Sequence, residues 1–217
     1  MKRLNLLISV LNRGTWAGAL AFGLAVSLTQ VHAQPAAAPP ALPVIHIENG
    51  PNSAEAQKAH YVVLVSLDGF RWDYAKRDNA TNLLALGKAG VWAPEGMLPS
   101  FPSLTFPNHY TIVTGLYPEH HGLVANSFYD AGKNARYAIS DPKAVTDGSW
   151  YGGVPLWSLA ESQGMRTACL FWPGSEAKIA GYQPTYYLHF DDKVDEEARI
   201  DQVLAWLQLP AEERPHF

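Results

Sequence analysis

Thr105, Asp68 and Asn126 are the side chains in this sequence best placed to do chemistry, and each also has an ordinary structural explanation. A loop rich in proline and serine runs into Thr105, where a helical pattern begins. Pro107 suits a first helical turn, where a missing N–H costs nothing. Phe106, Tyr110 and Val113 follow at i, i+4 and i+7 as one apolar stripe, and Gly115 stands where a left-handed C-terminal cap belongs. This predicts Thr105 at the N-cap, its hydroxyl beside unpaired N–H groups and the positive end of the helix dipole. Such a position attracts phosphate; a cap and nothing more is the simpler alternative. Asp68 closes the apolar, β-rich run Tyr61–Leu67, so it falls at the carboxyl end of a strand, where ligands gather in open α/β sheets. A carboxylate there suits a divalent metal, and an Asp-Gly pair is equally a turn. Asn126, read by itself, is a turn residue.

Strands and helices alternate behind these residues. Tyr61–Leu67 has the continuous apolar pattern of a strand buried on both faces of a parallel sheet. Asn79–Lys88 is helical with Gly90 as its stop, and Val91–Leu98 reads as a second strand. Leu156–Gln163 reads as helix, Thr167–Trp172 as strand broken by Pro173-Gly174-Ser175, and Glu196–Gln208 as a last helix burying Ile200, Val203, Leu204 and Leu207. This order predicts an α/β sandwich with a mostly parallel central sheet. Tyr182, Tyr186, Tyr187 and Phe190 crowd one segment and read as core aromatics. The adjacent His120 and His121 cannot share one face of a strand, so packing is the expectation rather than a metal pair. Cys169, the single cysteine, reads as a small buried hydrophobe with no thiol chemistry.

At 217 residues, 47% apolar and 17% charged, the chain is long enough for one substantial domain and is not a disordered composition. Residues 1–33 read as a secretory signal peptide: Lys2 and Arg3, then the apolar Trp16–Leu28, then Val31-His32-Ala33 at a small-residue cleavage site. An uncleaved anchor is the alternative. Export to a bacterial periplasm or beyond follows, with no stable membrane insertion after cleavage. Residues 34–58, dense in proline and alanine, read as an extended, mobile linker, and residues 59–217 as the domain. Outside the leader the chain carries 13 basic and 20 acidic groups, a net −7, with no basic stripe for a nucleic-acid polymer.

The string TFPNHYTIVTGLYPEHHG, residues 105–122, resembles the nucleophile segment of the nucleotide pyrophosphatase/phosphodiesterase family within the alkaline phosphatase superfamily. The resemblance runs from Tyr61 to Phe217 and includes VSLDGFR at 65–71, FWPGS at 171–175 and LQLPAEERPHF at 207–217. It implies an alkaline-phosphatase-like fold and a centre of two zinc ions, one activating the nucleophile and one activating water. It makes Asp68 and Thr105 metal ligands, Thr105 also the nucleophile that forms a covalent nucleotidyl-threonine, and Asn126 a donor to a phosphate oxygen. Phe106 and Phe190 become walls for a nucleotide base. Other members carry tyrosine at the position of Phe190; phenylalanine keeps the stacking face and loses the hydroxyl.

The same resemblance implies further metal ligands: an Asp-x-x-x-His pair, an Asp-His pair and a distant histidine. No aspartate in this sequence has a histidine one or four residues after it. The expectation is therefore the N-terminal part of a catalytic domain, incomplete at its C-terminus and inactive alone. Related hydrolases of phosphonoacetate or lipid headgroup esters are the neighbouring alternative. A non-catalytic periplasmic binding module is the alternative from another class.

Overall fold

The computed structural model describes residues 42–217, so the expected signal peptide lies outside the described residues. The architecture is α/β, around a small mixed sheet in the order β1-β5-β4. Strand β4, Ala168–Leu170, runs parallel to β5, Tyr186–Leu188, with Cys169 opposite Tyr187. Strand β1, Ile45–His46, adds to the other side of β5 in the antiparallel sense. A separate hairpin joins β2, Ser127–Asp130, to β3, Ala135–Ala138.

The helices are short α1, Tyr74–Arg77; α2, Thr81–Ala89; α3, Thr105–Thr114; α4, Pro118–His121; α5, Pro142–Thr146; α6, Leu156–Ser162; and α7, Glu196–Leu207. The main core packs Tyr110 and Val113 of α3 against Leu123, Tyr137, Trp150, Tyr151, Trp157 and Ile179. Gly115 adopts φ +69° and ends α3 as the pattern requires. Gly174, at φ +89°, lies where a β-carbon would come within 3.2 Å of the Tyr110 ring, so only glycine lets the loop after β4 reach α3. Cys169 is buried in this core, and burial pushes its thiol pKa up, away from thiolate chemistry.

Several expectations are corrected. Residues 42–58 are not a free linker. Ile45–His46 form an edge strand, and Asn52 donates to the carbonyls of Ala211 and Arg214 while accepting from Arg166 N–H. Proline-rich sequence does signal extended chain, and an extended chain can finish a sheet edge as readily as span a gap. Tyr61–Leu67 is not a buried strand. It makes a single backbone bond into the fold, from Val62 to His216, and its side chains are exposed, Val65 to 72%. Apolar, β-branched composition supplies the propensity, but a strand exists only with a partner on its ladder. Val91–Leu98 is likewise irregular, because Pro94-Glu95 form a turn in its middle, closed by Gly96 N–H to Ala93 O. In α7 the buried side chain is Trp206, stacked on Tyr186 with Val203 beside it, while Ile200 and Leu204 remain 60% and 50% exposed. The larger indole surface sets the helix rotation.

Glu161 of α6 ties these parts together. It is 5% exposed, and its Oε1 accepts from the N–H and hydroxyl of Thr167 and from the N–H and hydroxyl of Thr185, all within 2.9 Å. Glu161→Ala would leave four donors unpaired in the interior, and unfolding stability should drop by about 3 kcal/mol or more. Glu161→Gln, which keeps one carbonyl oxygen in place, should lose clearly less; urea titration of both variants measures the difference.

Candidate active site

The start of α3 is where the sequence-predicted residues meet. Leu104, not Thr105, is the N-cap: its backbone is extended at φ −116°, ψ 157°, and its carbonyl accepts the first helical bond, from Asn108 N–H. Thr105 is therefore the first helical residue. The capping bond comes from far along the chain, where Asn126 Oδ1 accepts Phe106 N–H at 3.0 Å. An asparagine side chain thus does the work expected of the threonine. The Thr105 hydroxyl is left to donate to Asp68 Oδ2 at 3.1 Å, and this contact joins two residues 37 positions apart.

The residues on either side of Asn126 explain why it arrives there. Short α4, with Pro118 in its first turn and Gly122 at φ +87° as its stop, turns the chain back beneath α3. Leu123 is fully buried, and Asn126 O accepts Ile139 N–H, anchoring the asparagine at the mouth of the β2–β3 hairpin. Asn126 Oδ1 is engaged with the helix, so its amide NH2 is the end that points a donor outward.

Two neighbours on α3 were not singled out from sequence. Asn108 accepts Ser100 N–H and donates to the carbonyls of Pro102 and Leu104, fixing the proline-rich loop before the helix. His109, 9% exposed, is held by Thr105 O at Nδ1 and by the Ser66 hydroxyl at Nε2. The i, i+4 spacing of Thr105 and His109 is the signal that marks them as one helix face.

His121 is fully buried, while His120 is exposed. Leu123 N–H donates to His121 Nδ1 at 3.2 Å, so Nε2 carries the hydrogen that goes to Thr111 Oγ1 at 3.0 Å. Both nitrogens are spent on packing contacts. Phe106 is half-buried against Tyr137, whereas Phe190 is 65% exposed beyond β5 and packs edge-on to Phe171 at 5.4 Å. The two phenylalanines expected as facing walls do not pair with each other. Glu176 fixes the loop of Phe190, accepting Phe190 N–H and holding His189. Among the described residues no group of three His, Cys, Asp or Glu side chains is arranged to hold a metal ion.

Asp68, Thr105, Phe106 and Asn126 thus converge on one helix start, in the segment that also carries the most specific sequence motif. A family model for type I phosphodiesterase / nucleotide pyrophosphatase matches residues 62–217. The chain belongs to this family. It is 46% identical over 157 residues to an uncharacterised pyrophosphatase/phosphodiesterase of Schizosaccharomyces pombe, covering 72% of this chain and 32% of that protein. It is 44% identical to human ectonucleotide pyrophosphatase/phosphodiesterase family member 1, covering 71% of this chain and 17% of the human one. Among solved structures, murine ectonucleotide pyrophosphatase/phosphodiesterase 5 superposes with a TM-score of 0.66 at 32% identity, over 71% of this chain and 41% of that one. An inactive threonine-to-alanine variant of the murine protein, in complex with AMP, matches with a TM-score of 0.67 at 31% identity. The chain therefore spans a third or less of the curated relatives named here.

In this phosphodiesterase-family chain the burial of His121 carries a pH consequence. Desolvation holds its pKa below the ordinary 6.5. The unfolded chain then binds the extra proton first, so the stabilisation is complete above about 6.5 and is lost as pH falls below it. A proton on Nδ1 would also oppose Leu123 N–H directly. Urea midpoints should fall between pH 6.5 and 5, and His121→Gln should flatten that slope while lowering the plateau. His216, buried and shifted the same way, leaves a residual slope.

Proposed function

We propose that this chain contributes the nucleophile half of a phosphodiesterase site that cleaves nucleotide diesters or pyrophosphates to nucleoside monophosphates. The observation that carries the reading is the Thr105 hydroxyl at 3.1 Å from Asp68 Oδ2 at the start of α3, freed from capping by Asn126. Family membership supports the reaction class, and the inactive threonine variant of the murine relative, bound to AMP, supports both a threonine role and a nucleotide substrate.

The two oxygens fit a share in one divalent ion. Ligand oxygens about 2.0–2.2 Å from a zinc lie roughly 3 to 3.5 Å from each other, and both donors here are oxygens of the types that zinc and other hard or borderline cations accept. A metal bound there would act as a Lewis acid, favouring the threonine alkoxide and countering charge on the phosphoryl oxygens. Thr105 Oγ, its proton given up to solvent, then attacks phosphorus in line, the P–O bond to the leaving group breaks with its electron pair going to the departing oxygen, and a nucleotidyl-threonine remains. The Asn126 NH2 donates to a non-bridging phosphoryl oxygen as its charge grows, alongside the N–H groups of the first turn. Water finally attacks phosphorus, returning the threonine hydroxyl and releasing the monophosphate. Phe106 and Phe190 offer aromatic faces for the base on two sides of the approach. Export to the periplasm remains the proposal for where the reaction takes place, on the composition of residues 1–33.

In any longer form of the protein that turns over bis-p-nitrophenyl phosphate, Thr105→Ala should lower the rate by several orders of magnitude with zinc content largely intact. Near-normal turnover would remove Thr105 as the nucleophile. Asn126→Ala should cost about 10²–10³ in kcat. A catalytic zinc normally takes three protein ligands, so residues 34–217 alone should hold zinc weakly and lack diesterase activity, as measured by elemental analysis and a chromogenic assay. A zinc-loaded, active preparation would overturn this ligand count.

A further inference from the structure

The segment that carries Asp68 is attached to the fold at few points. All residues from Tyr61 to Phe70 are exposed, and their ties are sparse. Val62 N–H reaches His216 O, Tyr61 accepts from Arg214, Ser66 bonds to His109 and Asp68 bonds to Thr105. The first two lie at the far end of the segment. Among the described residues, the only hydrogen bond that leaves the segment close to Asp68, besides Asp68–Thr105 itself, is Ser66–His109, at 2.8 Å.

His109 is the better-anchored partner of that link. Its Nδ1–H donates to Thr105 O at 2.7 Å, because a carbonyl can only accept, and Nε2 is thereby the acceptor for the Ser66 hydroxyl. The ring lies edge-on to Trp172 at 5.4 Å, and Trp172 Nε1–H donates to His109 O at 3.2 Å. One imidazole therefore spans from the backbone of Thr105 to the side chain two residues before Asp68. From these contacts we propose that His109 is a positioning residue which, through Ser66, holds Asp68 beside the Thr105 hydroxyl so that both oxygens face one cation. This rests on the metal-centred reading above and adds the device that sets the separation of its two ligands.

The geometry separates this role from simple packing. Ser66 is exposed, so Ser66→Ala removes one hydroxyl without opening a core. His109→Asn keeps a donor near Thr105 O but is too short to reach Ser66. Each should weaken Zn2+ binding by about 10–100-fold, the usual effect of removing a group that orients a metal ligand. The double variant should be no weaker than either single one, since both break the same link. Ser66→Thr, which keeps the hydroxyl, should restore the affinity. Direct titration of the whole chain with Zn2+, followed by the amide shifts of residues 66–70 and 105–109, reads even weak binding and measures all four. Ring 15N spectra should show the Nδ1–H tautomer of His109, and amide exchange at residues 63–70 should quicken in Ser66→Ala with the melting temperature unchanged. Wild-type Zn2+ affinity in Ser66→Ala, with Asp68→Ala weakened, overturns the positioning role and leaves the metal reading standing. If Asp68→Ala also binds Zn2+ like wild type, the metal reading falls and the positioning role with it.

Discussion

A buried carboxylate oxygen shared by four donors holds the helical layer to the sheet. Glu161 comes from α6, and the groups it accepts from, Thr167 and Thr185, stand just before β4 and β5. Burying a carboxylate is costly unless its hydrogen bonds are complete. Here the cost is met by fixing the two parallel strands at the same level, with Ala168 opposite Tyr186. With their entry ends level, their exit ends are level too. The loops that leave them, Phe171–Ser175 and His189–Phe190, then sit side by side. The first of these receives α3 through the Gly174–Tyr110 contact.

The end of the molecule that brings Asp68, Thr105 and Asn126 together is assembled on that base almost wholly by side chains reaching across the chain. Asn126 caps α3 through Phe106, twenty residues before it, and Thr105 and Ser66 each bond to residues about forty positions away. The helix supplies the direction of its N–H groups, but their positions relative to Asp68 come from these cross-chain bonds. This is the common division of labour in α/β folds, with a rigid layer beneath and the chemistry on the loops at strand ends.

Where local pattern decides the structure, the sequence was a good guide. The stripe of Phe106, Tyr110 and Val113, the cap at Gly115, the helix ending at Gly90 and the helix from Glu196 all follow from spacing and terminal residues. Pattern could not show which helix face would win when Trp206 competed with Ile200 and Leu204. Nor could it show that Tyr61–Leu67 would find so little to pair with. Both outcomes depend on neighbours rather than on the segment. The convergence of Asp68, Thr105 and Asn126 was legible only through resemblance, since no periodicity links positions 68, 105 and 126. The identity of the capping residue was not legible at all. A threonine before a proline-containing turn is the expected cap, and only the fold reveals that an asparagine from beyond α4 has taken its place.

That displaced cap has a bearing on the order in which the chain folds. A helix with its own capping side chain can close its first turn as soon as it nucleates. Helix α3 has to wait for residues on the far side of α4, and closing a loop of about twenty residues adds roughly 2.5–3 kcal/mol of entropy before that bond forms. The first turn, with Thr105 in it, is thus a late event, consolidated only after Leu123 has entered the core and the hairpin stands in place. A partly folded molecule would have most of α3 but no ordered anion-facing end. On the reading proposed for Thr105, the arrangement of its hydroxyl would be complete only once the surrounding layers have docked.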